Sequence, residues 1–158
     1  MTLNASAQKV QNILRDRGFP CEVVELADST RSAKEAAQAV GCELGQIVKS
    51  LVFRTLESSR AVLVVASGPN RVDEALISAL LGEGIGKADA DFVRERSGYV
   101  IGGVPPLGHA SPMVTFIDED LLQYPEVWAA AGTPHAVFCL KPADLPVMTG
   151  GQVVKIHA

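Results

Sequence analysis

Apolar positions fall in short, well-separated groups along the chain, and their spacing alternates between helical and strand-like. Val10, Ile13 and Leu14 repeat at i, i+3, i+4 and predict a helix over 5–17, stopped by Gly18. Cys21–Leu26 reads as a short strand. Ser32-Ala33-Lys34-Glu35 has the form of a capping box and opens a helix over Ala33–Val40, ended by Gly41. Ile47–Thr55 alternates as a strand, and Ala61–Ala66 is a continuous apolar run expected of a strand buried on both faces. Leu56–Arg60 would join these two as a hairpin. A helix over Val72–Leu81, a short strand near Gly84–Ala88 and a short helix begun by Asp89 or Asp91 and running through Arg96 follow. Further on come a strand at Met113–Ile117 and a helical turn at Glu119–Tyr124 capped by Asp118. Val127–Ala131 and Ala136–Leu140 flank Gly132-Thr133-Pro134-His135 and predict a hairpin, although the alanines of the first segment also suit a helix. Ala143–Leu145 reads as a helical turn and Val153–Ile156 as a last strand. The expected architecture is mixed α/β (α+β), a curved, largely antiparallel, barrel-like sheet with surrounding helices, in one domain over residues 1–158.

Two places break this regular pattern. In the Ile47 strand, Lys49 shares a face with Ile47, Leu51 and Phe53. A lysine on such a face either reaches solvent from the strand end or meets an anion at the floor of a cleft. The second place is Tyr99–His109, YVIGGVPPLGH, with too many Gly and Pro for a helix or a central strand. It predicts a fixed, irregular loop, which is either a tight connection or a site carried on a scaffold.

Composition narrows the chemistry. The 158 residues carry a net charge of −4, which argues against a protein that coats nucleic acid generally but leaves room for a basic pocket gripping one end. Three cysteines, Cys21, Cys42 and Cys139, are widely separated, so neither a disulfide framework nor a CxxC knuckle is expected. No apolar run approaches the roughly 20 residues that span a bilayer, and the N-terminus lacks the pattern of a secretory signal. A cytoplasmic location is expected. His109, His135 and His157 lie outside metal-binding spacings, and GxSxG and Walker A motifs are absent. Neither a metal nor another cofactor is expected. A strand lysine and a glycine loop remain, a pair suited to binding an anionic group and stabilising an oxyanion.

IVKSLVFR, followed about fifty residues later by GGVPPLGH, resembles the YbaK/prolyl-tRNA-synthetase-associated family of aminoacyl-tRNA deacylases. The likeness extends over STRSAKEAAQAVG, VASGPNRVDEALISALLG and WAAAGTPHAVF, nearly the whole chain. The resemblance implies hydrolysis, in trans, of the ester of a mischarged tRNA carrying a small amino acid, most simply a prolyl tRNA. Lys49 would hold the terminal nucleotide. Gly102 and Pro106 match a GxxxP element that positions the ester and a water, with Gly103, Gly108 and His109 extending the loop. Thr30 would line the cleft, and Gly132 and Thr133 would border the amino-acid pocket. Lys49, Gly102 and Gly103 are thus the catalytic candidates. Thr30, Ser50, Pro106, Gly108, His109, Gly132 and Thr133 are the substrate-binding ones. Taken singly, Thr30, Ser50, Asn70 and Thr133 also suit caps and turns. His109 is equally a general base or a loop-ordering residue. The cysteine-removing subgroup usually carries a serine before the GxxxP proline and a basic residue after the loop. Pro105 and His109 stand there, which brings the chain closer to freestanding members that clear alanine or other small residues. The implied partners are a tRNA acceptor end and prolyl-tRNA synthetase, with a monomer or weak homodimer. The alternatives are a non-catalytic module that binds a nucleotide or tRNA end, and a small-molecule hydrolase.

Overall fold

The computed structural model describes residues 3–27 and 32–157. In chain order it contains α1 (Ala5–Asp16), β1 (Val23–Glu25), α2 (Ala33–Val40), β2 (Ile47–Thr55), β3 (Ala61–Ser67), α3 (Glu74–Leu81), β4 (Ile85–Lys87) and α4 (Ala90–Ser97). Then follow β5 (Val114–Asp118), β6 (Val127–Ala130), β7 (Ala136–Leu140), α5 (Leu145–Thr149) and β8 (Gln152–Val154). Helix starts are set by side chains that accept the first orphan N–H groups. Asn4 accepts from Ser6, Ser32 from Glu35, Asp73 from Ala75 and Leu76, and Asp89 from Phe92. Gly41, Gly82 and Gly98 close α2, α3 and α4.

The strands form one sheet in the order β1-β7-β6-β2-β3-β5-β8, with β4 added to β2. Strands joined by short turns pair antiparallel: β2 with β3, and β6 with β7. Val127–Ala130 is therefore a strand despite its alanines, because it completes a ladder with β7 and docks on β2. Three pairings are parallel: β2 with β6, β3 with β5, and β5 with β8. These join segments far apart in sequence, and the intervening helices supply the crossovers that parallel neighbours need. Among the described residues the sheet is thus mixed, with four antiparallel pairings and three parallel ones.

β3 is the centre of the molecule, and every residue in it is buried. Leu63 and Val65 pack on one face with Val10 and Leu14 of α1, Ile117 and Phe138. Val62, Val64 and Ala66 pack on the other with Ile77 of α3, Phe116 and Ile156. A third, smaller cluster sets Ala36 and Ala37 of α2 against Ile47 and Trp128. No helix among the described residues is long and apolar enough to cross a membrane.

Candidate active site

The site begins as a gap in the sheet. On the side away from β3, β2 pairs with β6 only at Ile47 and Val48, and with β4 only at Phe53, Arg54 and Thr55. Residues 49–52 face no strand on that edge. The Thr55 N–H donates to Arg60 O and the Leu56 N–H to Gly84 O, both at 2.9 Å. Odd positions therefore direct their main-chain groups to β3 and even positions to the other edge. The N–H and C=O of Ser50 and Val52 accordingly face the gap. A cleft of about 510 Å³ opens there. Ser50 lines it, and its buried hydroxyl, alone among buried side-chain polar atoms of the described residues, has no hydrogen-bond partner.

Lys49 stands half-buried in this cleft with Ile47, Leu51 and Phe53, the face read from the alternation. Its Nζ donates to the main-chain O of Asn70 at 2.7 Å. Burial pulls its pKa below the usual lysine value, and the negative charge of Asp118 opposes that shift. Arg71, Glu74 and Lys87 add charged groups to the cleft, and Ala33, Ala36 and Trp128 add an apolar wall. The sequence offered little sign of these residues. Lys87 joins the cleft only because β4 pairs with the far end of β2.

The glycine loop meets the cleft through one residue. The Gly103 N–H donates to Val100 O at 2.9 Å, and Gly102 sits at φ 89°, so Val100–Gly103 is a type II turn with glycine at its third position. Gly102 lines the cleft, as does Val104. Gly103 faces elsewhere. Its carbonyl accepts the Gly132 N–H at 2.9 Å, and a Cβ there would lie 2.8 Å from Thr133 Cα. Only glycine lets the loop and the β6–β7 hairpin approach so closely. The Gly103 amide is thus already engaged within the turn.

Gly132 packs on the Ser6 carbonyl of α1, and Thr133 Oγ1 accepts the His135 N–H at 3.1 Å. Gly103, Gly132 and Thr133 make a seam between loop and hairpin; none of them lines the cleft. Pro106, Gly108 and His109 border a second depression of about 470 Å³, together with Arg17. His109 Nε2 donates to the Pro105 carbonyl at 2.7 Å, which closes the loop on itself. Burial lowers the His109 pKa, against the effect of that hydrogen bond. Thr30 lies outside the described residues.

The structure thus brings together Lys49, Ser50 and Gly102, and separates them from the other described candidates. Behind Lys49, Asp118, Asp120 and His157 place possible ligand atoms within 4.8 Å of one another. These groups are cross-linked through Asn70 and His157 by hydrogen bonds. The three cysteines are unbridged and half-buried, and the Cys139 thiol is pushed up to about 11, chiefly by burial.

An electropositive, partly desolvated lysine beside a glycine turn in an open cleft suits an anionic ligand with a scissile carbonyl. The comparisons with known proteins point the same way. The aminoacyl-tRNA editing domain model matches residues 27–146. Bacillus subtilis YwhH, a protein of unassigned function, is 31% identical over 132 residues, covering 84% of this chain and 83% of its own length. EbsC of Enterococcus faecalis, named as a candidate Cys-tRNA(Pro)/Cys-tRNA(Cys) deacylase, is 26% identical over 125 residues, 79% of this chain and 76% of its own length. A crystal structure described as a candidate trans-editing enzyme for prolyl tRNA synthetase is 52% identical, with a TM-score of 0.93 and 99% of each chain covered. The chain belongs to the aminoacyl-tRNA editing domain family. It is an aminoacyl-tRNA deacylase, a hydrolase of the ester between an amino acid and its tRNA.

Proposed function

We propose that this member of the aminoacyl-tRNA editing domain family acts in trans on a small amino acid wrongly attached to a prolyl tRNA. The observation that carries the reading is the half-buried Lys49 ammonium in the cleft, with Gly102 lining the same cavity. Lys49 holds the terminal nucleotide of the acceptor end through its charge. The Gly102 turn brings the main chain up to the ester and helps orient the attacking water. An ester of an amino acid is already activated, so alignment and charge stabilisation suffice without a protein nucleophile. No metal is required in this scheme, and no other cofactor.

Ser50 borders the substrate through its main chain at the open edge of β2. Gly103, Gly132 and Thr133 act on the substrate indirectly, by holding the loop against the hairpin. Pro106, Gly108 and His109 stiffen the loop from the second depression. The 52%-identical trans-editing relative supports the prolyl-tRNA assignment and a link to prolyl-tRNA synthetase. Residues 1–158 form one editing module, working in the cytoplasm as a monomer or weak homodimer.

The test is hydrolysis of prolyl tRNA mischarged with alanine, cysteine, serine or 2-aminobutyrate, by the wild type and Lys49→Ala, with EDTA present. Turnover of one small amino acid that disappears in Lys49→Ala is the expected result. No turnover of any of them, with tRNA still bound, would leave a binding module in its place.

A further inference from the structure

We propose that Asn70 and Asp118 are positioning residues for Lys49, together forming a bracket that fixes where its ammonium sits in the cleft. This inference rests on the role proposed for Lys49. The turn after β3 presents the Asn70 carbonyl to Lys49 Nζ at 2.7 Å. A main-chain carbonyl is only as fixed as the turn that carries it. This turn is tied from behind: Asn70 Nδ2 donates to Asp118 Oδ2 and to Asp120 Oδ2, each at 2.8 Å. Asp118 Oδ2 also accepts the Ser67 N–H at 2.9 Å, and Asp118 Oδ1 accepts the Asp120 N–H at 3.0 Å. Asp120 Oδ2 in turn meets His157 Nε2 at 2.9 Å. The end of β3, the turn, the end of β5 and the C-terminal segment are therefore cross-linked, and Lys49 hangs from the cross-link.

The bracket has a second property. Asp118 is fully buried. A buried carboxylate is costly unless hydrogen bonds and an opposite charge compensate it. Among the described residues no lysine or arginine forms an ion pair with it. Lys49 is the cation whose titration it influences, by opposing the desolvation that favours the neutral amine. The other charged groups around Lys49 are Arg71 and Glu74 on the α3 side and Lys87 on β4, with Asp120 and His157 behind Asp118. Asp118 thus locks the turn and favours the charged form of the lysine, through one side chain.

The two roles separate in two variants. Asn70→Ala keeps the main-chain carbonyl and removes the tie. Asp118→Asn keeps an acceptor for the Ser67 N–H and removes the charge. Lys49 is titrated by NMR of its side-chain ¹³Cε and ¹⁵Nζ in the full chain without tRNA, with Lys49→Arg for assignment. The same proteins are then assayed on mischarged tRNA across pH. In Asp118→Asn, Lys49 should lose its proton at lower pH than in the wild type, and the alkaline fall in kcat/KM should move with it. Asn70→Ala should lower kcat/KM by about tenfold, less than the hundredfold cost of a 1 Å misplacement, with an unchanged circular dichroism spectrum. An unmoved Lys49 titration in Asp118→Asn, with wild-type editing by Asn70→Ala, overturns the bracket. If Asp118→Asn does not fold, Asn70→Ala decides alone, since a structural role elsewhere would leave its kcat/KM intact. If the Lys49 titration moves in Asp118→Asn as expected but the wild type hydrolyses no tRNA, the functional reading is overturned and the bracket stands.

Discussion

β2 and β3 lie side by side in antiparallel register, and both are rich in Val and Leu, yet only one of them borders the cleft. β3 is paired on both edges and covered on both faces, so it has no surface left to offer. β2 is paired along one edge and only at its two ends along the other. That interruption leaves Lys49, Ser50 and two stretches of main chain facing a cleft. Side-chain type alone does not account for the contrast, because a lysine in β3 would have no cavity to face. The site arises where pairing stops in the middle of a strand whose neighbours keep it rigid.

The sharpest way to break this contrast is to remove the functional group from β2. Lys49→Ala should cut kcat/KM for mischarged tRNA by about a hundredfold or more, on the scale of losing one oxyanion donor, while the urea midpoint barely moves. Steady-state hydrolysis beside equilibrium unfolding checks it. The complementary change in β3 should do the reverse. Leu63→Ala, in a fully buried site, should cost roughly 2–5 kcal/mol of stability from lost burial and a residual cavity. Activity per folded molecule should persist below the shifted melting temperature.

Gly102 and Gly103 extend the comparison to the facing loop. Gly103→Ala places a methyl against the main chain of Thr133, which cannot give way as a flexible side chain would. A loss of about 1–3 kcal/mol, as for overpacking, is expected with a fall in kcat. Gly102→Ala has space, its nearest neighbour being Pro134 Cγ at 3.7 Å, but strains a residue at φ 89°. It should lose about 1 kcal/mol or more, and the urea midpoints of the two variants rank them.

The smallest expected effect concerns the far side of the loop. Burial depresses the His109 pKa, so the unfolded chain takes up a proton first as pH falls. Stability should therefore drop as pH falls below the usual histidine value and stop dropping on this account below the folded pKa. In His109→Gln that part of the decline should vanish in a pH series of urea midpoints. Carboxylates act lower: hydrogen bonds from Ser58 and Arg60 hold Glu83 at about 2. Their contribution is lost in the acid range, where the two effects are resolved.

Most helices, and the hairpin of β2 with β3, could be read in advance because their signals are local. Caps such as Ser32 and Asp118, stops such as Gly41, and the period of two in Ile47–Thr55 act between residues a few positions apart. Lys49 was legible for the same reason, as a charge on an apolar face. Val127–Ala130 was ambiguous, since alanine favours helix and only the ladders to β2 and β7 decide otherwise. The loop misled in part. Its composition marks a rigid turn, but the same Gly and Pro content serves Gly102 in the cleft, Gly103 in a seam and His109 at a separate depression.

The amino-acid order by itself determined most of the elements, the buried centre and the lysine that stands out from its face, because periodicity, capping and burial depend on near neighbours. Tertiary structure alone decided which strand edge stays open, which loop residue reaches it, and that Asn70, Asp118 and Lys49 meet. Those outcomes depend on parallel crossovers and strand register between segments tens of residues apart, where pairing rewards the sum of many contacts and no single residue carries the signal.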